Sequence, residues 1–244
     1  MLLSTPIPDI AAGMAIAAAA GLMRGFAGVG AGMLMAPFFV HLFGPVTAIG
    51  VITLIEGVAT VQLLPTVRRD VAWRTVAPMG LAAAFAMPLG SWLLVTLDPA
   101  SLQLGISILV ILSALVLLGG WRYEGRRPLA ATAGVGTLSG VLMALTSVGN
   151  PPVMVYLLSG SDTAATSRAN FTGYFALTLI ALTLMMTAAG LITGSVALLA
   201  LALLPGYLLT TWLGSHLFRR SSDLTYRRVA LGVLLAAGLY GLTL

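Results

Sequence analysis

Long apolar blocks separated by short polar joints organise the chain. Apolar stretches occupy residues 10–26, 33–43, 47–64, 75–95 and 102–118. The polar run GGWRYEGRRP follows, and then five more stretches at 129–145, 151–158, 167–189, 195–218 and 228–244. Most approach the ~20 residues that a helix needs to cross the hydrocarbon core of a bilayer. None shows the alternation of a barrel strand. The pattern predicts an all-α polytopic membrane protein. Blocks 33–43 and 151–158 are the exceptions. The second is too short to cross, so this pair is expected to be broken or re-entrant, meeting near the midplane. Non-helical backbone is tolerated at that depth only inside protein or against a cavity.

The two sets of five blocks read as copies. AGVGAGMLMAPFFVHLFG lies over TSVGNPPVMVYLLSG with Gly30 on Gly149, and the same offset sets Thr53 on Thr172. Further on, PLGSWLL lies over WLGSHLF. Segments rich in Gly, Ala and Leu align by chance, but here block order and block lengths repeat as well. The expected organisation is a first transmembrane repeat at 1–120, a cytoplasmic linker at 121–128 and a second repeat at 129–244. Arginine sets the orientation, because cytoplasmic loops collect it. RRDVAWR, WRYEGRR and FRRSSDLTYRR are rich in it, whereas TLDPAS and AAGLITGS have none. Block 47–64 then runs inward and its counterpart 167–189 runs outward, which makes the halves inverted repeats, a common transporter architecture. The same assignment puts both termini outside, in the periplasm.

Composition narrows the function. The chain has 244 residues, 59% of them hydrophobic and 8% charged, with a net charge of +5. Its longest polar loops are about ten residues, far short of a soluble domain. No room remains for a nucleic-acid reader, and the positive charge is accounted for by arginines in loops. Cysteine is absent, which excludes disulfides and thiolate chemistry. The start, MLLSTPIPDI, has no charged region before its apolar block, so that block is expected to be a mature helix, not a removed leader. His41 and His216 stand apart with no HExxH or acidic cluster, and no nucleophile elbow or P-loop occurs. The expectation is no metal, no cofactor and no enzyme. The tryptophans, Trp73, Trp92, Trp121 and Trp212, sit near block ends, as in an interfacial belt.

The candidate chemistry begins in RGFAGVGAGMLMAPF, where a cation and four glycines interrupt the apolar sequence. A helix starting after GVGAG, and another starting at NPP with Asn150 as cap and Pro151 in the first turn, would each expose unpartnered N–H groups. Two such positive ends converging form a site for a small anion. Glycine also serves tight helix packing in membranes; clustering, the partial match in the second half and the short following helices favour the site. Arg24, late in its block, is costly to bury unless paired or hydrated, and so is a candidate for substrate contact. The alternative for Arg24 is snorkelling from a helix end. Arg168 suits a cytoplasmic helix start equally well; Asn170 and Thr172 follow it with neutral hydrogen-bonding groups. Glu56, in the middle of its block, is either paired, for example with Arg24, or protonated, and a protonatable Glu is a natural proton-coupling group.

The pattern resembles the sulfite exporter TauE/SafE family, also called TSUP transporters. The likeness covers almost the whole chain. It rests on GVGAG after the first block, the degenerate copy SVGNPP, the short paired helices of each half, and RANFTGYF, which is similar to a segment recurring in the second half of family members. The resemblance implies a bacterial inner-membrane, multi-pass carrier of a small sulfur-containing anion such as sulfite, thiosulfate or an organosulfonate. By match it implies functional positions at Gly28, Gly30 and Gly32, and at Ser147, Gly149 and Asn150. Ala31 interrupts the first glycine run, and NPP replaces the second. The combined expectation is a secondary transporter working by alternating access, proton-coupled through Glu56. Its substrate site would draw on Arg24, Thr53, Arg168, Asn170 and Thr172 besides the two glycine turns. Its partners are the substrate anion and the lipid bilayer, with a homodimer allowed. A passive anion channel, a carrier of a non-sulfur carboxylate and an intramembrane assembly partner stand as alternatives.

Overall fold

The computed structural model describes residues 7–96, 115, 128–146, 150–158, 162–222, 224–225, 228–229 and 232. Eight helices follow in order: α1 (Ile7–Ala27), α2 (Ala31–Phe43), α3 (Pro45–Val67), α4 (Trp73–Thr96), α5 (Leu129–Thr146), α6 (Asn150–Leu158), α7 (Ala164–Ala188) and α8 (Gly194–Arg219). No strand occurs among the described residues. Helices α1, α3, α4, α7 and α8 are long and apolar enough to cross a membrane. The fold is that of a multi-pass helical membrane protein. The expected blocks 102–118 and 228–244 lie almost entirely outside the described residues, as do Ser147, Gly149 and the linker up to residue 127.

Local chemistry explains where the helices start. Thr163 caps α7 by accepting a hydrogen bond from the Thr166 amide at 3.2 Å, and Thr193 caps α8 through the Val196 amide at 3.4 Å. Each helix therefore begins within a few residues of the expected block. Helices α2 and α3 start differently. Their caps are Gly30 and Gly44, at φ 91° and 81°, and no side chain caps either one. Gly28 also has a left-handed φ, 76°. A three-residue turn between α1 and α2 requires this backbone, which glycine adopts without strain.

That turn folds α2 back along α1. A Cβ on Gly13 would sit 2.9 Å from the Phe43 ring, so the end of α2 lies beside the early part of α1. Arg24, late in α1, reaches Thr60 of α3, so α3 runs parallel to α1 with α2 reversed between them. The second half does the same: Thr132 of α5 is 2.6 Å from the Tyr156 hydroxyl of α6. With 13 and 9 residues, α2 and α6 rise only about 20 and 14 Å, against a hydrocarbon thickness of ~30 Å. Both are short returning helices, as the block lengths require.

Small residues bring the long helices together. Gly21 and Gly25 of α1 meet the backbone of Tyr207 and Thr211 on α8, while Gly214 of α8 meets Leu22. Gly136 and Gly140 of α5 meet the carbonyls of Met79 and Ala83 on α4, while Gly90 of α4 meets that of Val141. Both seams are parallel, and both let backbones approach to a distance that any side chain would block. At the centre α3 and α7 cross antiparallel. Gly50 and Thr53 lie against Met186, and the Asn170 side chain accepts a hydrogen bond from the Ala72 amide just beyond α3. Thus α1, α3 and α8 run one way and α4, α5 and α7 the other. The outward surface carries large apolar side chains such as Phe85, Val61, Leu184 and Leu201. Water would penalise such a surface, whereas a bilayer accepts it.

Candidate functional site

Arg24 is fully buried, at 0% exposure. Its Nε stands 3.0 Å from Glu56 Oε2. One terminal nitrogen donates to the Gly28 carbonyl and the other to Thr60 Oγ1 at 2.9 Å. The guanidinium lies over the Phe175 ring, 4.2 Å from its centroid, a cation–π arrangement. Tyr207 of α8 donates its hydroxyl to Glu56 Oε1 at 2.9 Å. The cluster therefore joins α1, α3, α7 and α8. Glu56 takes the paired alternative, with Arg24 as its partner. The pair is an electrostatic contact, not an aligned hydrogen bond: neither Nε nor Oε2 has an aligned partner among the described residues.

Glu56 also lines a small cavity. Gly32 opens it from the first turn of α2; Ile52, Thr53 and Glu56 form the α3 wall. Met143 closes it from the last turn of α5, and Phe175, Leu179 and Leu182 from the middle of α7. Its volume is about 10 Å³, room for roughly one water molecule. Glu56 is at the midpoint of α3, so the start of α2 reaches halfway along a spanning helix. The uncapped N–H groups of that first turn carry partial positive charge.

Gly32, Thr53 and Glu56 line this cavity, and Arg24 stands behind its wall, in contact with Glu56 and Phe175. Gly28 and Gly30 form the turn that delivers α2 to it. Arg168 belongs to a neighbouring group: its Nε and Nη2 donate to the Gly25 carbonyl at 3.1 and 2.8 Å, and its aliphatic stem packs on Gly28. This ties α7 to the end of α1. Asn170 accepts from the Ala72 amide at 2.7 Å, and its Nδ2 is buried without a partner among the described residues. Thr172 turns back onto the Arg168 carbonyl at 3.0 Å. Arg168, Asn170 and Thr172 do not line the cavity. Asn150 opens α6 as its first residue, while Ser147 and Gly149 fall outside the described residues.

Tyr207, Thr60 and Phe175 are the participants that the sequence reading missed. Thr60 had a signal, since it lies four positions after Glu56 on one helix face. Phe175 had one too, since the offset that pairs Thr53 with Thr172 sets Glu56 on Phe175. Tyr207 is an aromatic in mid-helix, away from the belt at the block ends.

Comparison with known proteins gives one match. The family described as sulfite exporter TauE/SafE matches residues 13–241. No curated protein and no solved structure matches the chain.

Proposed function

The chain belongs to the sulfite exporter TauE/SafE family, and from that premise we propose that it is a secondary carrier of a small sulfur-containing anion in a bacterial inner membrane. Sulfite, thiosulfate and organosulfonates are the candidate substrates. The anion binds where the first turn of α2 meets Arg24, Thr53 and Glu56. The site rests on one observation above all: an uncapped helix start and a fully buried arginine beside one cavity halfway along α3. Backbone N–H groups, a hydroxyl and a guanidinium in that arrangement suit an oxyanion.

The halves act as inverted repeats. Helices α1, α3 and α4 run opposite to α5, α7 and α8 respectively. Exchanging the halves also turns the α1–α8 seam into the α4–α5 seam, and the α4–α7 contact into that between α3 and α8. This pairing supports alternating access by rocking one half against the other around the central site.

The test is uptake by the purified chain in proteoliposomes, with sulfite, thiosulfate, methanesulfonate and acetate offered separately. Accumulation of a sulfur oxyanion against its gradient, driven by an imposed proton gradient, is the expected result. Uptake that only equilibrates would replace the carrier with a channel, and preference for acetate would remove the sulfur assignment.

A further inference from the structure

Resting on that anion-carrier reading, we propose that Glu56 is a tethered counter-anion, whose carboxylate holds the place on Arg24 that the transported anion takes. Tyr207 is the positioning residue that keeps it there. A carboxylate in the wall of an anion site repels the anion unless it is neutralised or moved. Here it is already seated on Arg24, a buried cation behind the cavity wall. Of Arg24's three nitrogens, Nε faces Glu56 without an aligned acceptor, while the other two are hydrogen-bonded to Gly28 and Thr60. Nε is therefore the donor with most to gain from a new partner. Room is short as well: a cavity of about 10 Å³ does not admit a sulfur oxyanion. Withdrawal of the Glu56 side chain frees Nε and vacates volume in the same movement.

Among the described residues, the charged and titratable groups facing Glu56 are Arg24 from α1 and Tyr207 from α8. From α2, α5 and α7 the cavity presents Gly32, Met143 and Phe175, which do not titrate. The step runs as follows. A proton from the aqueous phase adds to a Glu56 oxygen, the attraction to Arg24 lapses, the side chain withdraws and the anion takes Nε. On the other side the anion leaves, Glu56 returns its proton to water and closes on Arg24 again. One proton accompanies each anion, so a singly charged anion crosses without net charge. The Tyr207 hydroxyl donates to the carboxylate and so opposes its withdrawal.

Methanesulfonate, whose charge is constant around neutral pH, and sulfite are the probes, carried by the full chain in proteoliposomes. From mildly acidic to mildly alkaline buffer, the wild-type KM for methanesulfonate should rise by up to about tenfold per pH unit, the limit for one linked proton. Glu56→Gln should flatten that slope and abolish proton co-uptake. Tyr207→Phe should keep the slope but lower KM several-fold at the alkaline end. A merely structural pair would change the yield of folded protein or the maximal rate and leave the slope alone. Wild-type slope in Glu56→Gln, or Tyr207→Phe kinetics identical to wild type, overturns the proposal; if Glu56→Gln does not fold, Tyr207→Phe decides it. Where only sulfite is carried, slopes are compared between variants, so the titration of sulfite itself cancels. A wild-type chain that takes up neither probe removes the carrier reading instead.

Discussion

Arg24 and Glu56 are the most deeply buried charges among the described residues. Each costs about 3 kcal/mol to place at the centre of a membrane helix, and together they offset most of that by pairing. Removing one partner strands the other, which costs about 3–5 kcal/mol in buried pairs. Arg24→Met should therefore melt well below wild type in detergent, whereas the double variant Arg24→Met/Glu56→Met should recover much of the loss. Neither should be stabilised by sulfite, because ligand stabilisation requires binding. A single variant as stable as wild type, or a double variant that still responds to sulfite, contradicts this account. These two residues were legible in the sequence because a formal charge inside an apolar block has few explanations. Tyr207 was not, because a tyrosine costs little to bury and its role depends on a partner 151 positions away. Arg168 shows the reverse: a charge that was noticed, but whose partner, the Gly25 carbonyl, is backbone and leaves no mark in the sequence.

Helix pairs carry a different signal. Where backbones touch, only glycine fits, so the seam is written into the sequence: PLGSWLL and WLGSHLF align because Gly90 and Gly214 make equivalent contacts on opposite seams. The offset that sets Gly30 on Gly149 also sets Gly21 on α1 over Gly140 on α5, and their partners Tyr207 and Ala83 are related as Gly214 is to Gly90. A Cβ at Gly21 would run into the Tyr207 carbonyl, and one at Gly140 into that of Ala83. Gly21→Leu and Gly140→Leu should each lower stability by at least the ~1–3 kcal/mol of overpacking, and by similar amounts, because the two positions are equivalent on the two seams. Gly134→Leu is the control, since nothing lies within 4 Å of an added Cβ there, and its melting curve should match wild type. Unequal losses at the two seams would argue against related halves. The direction of each helix was not readable in this way. It was read instead from arginine in the loops, and the residues that face one another across α3 and α7 make that pair antiparallel. The short helices were readable from length alone, although α2 begins two residues before its apolar block, at Ala31, because the Gly30 cap sets the start.

For the molecule as a whole, charge and direction agree. Helices α3 and α8 are parallel, so Arg68 and Arg69 after the one lie at the same end of the bundle as Arg219 and Arg220 after the other. Helices α4 and α5 both start from that end, and in sequence α5 follows directly on Arg126 and Arg127. The connection between α7 and α8, residues 189–193, holds no arginine and lies at the opposite end. From arginine retention in the cytoplasm we propose that the first end is inside and the second outside. The natural absence of cysteine makes this directly measurable, since any introduced thiol is the only one present. Asp70 and Ala189 are both exposed, and neither contributes to the cavity. In intact cells, a membrane-impermeant maleimide should label Ala189→Cys, and should label Asp70→Cys only once the membrane is opened. The opposite pattern would invert the molecule. Labelling of both from one side would break the antiparallel crossing of α3 and α7, on which the central site depends.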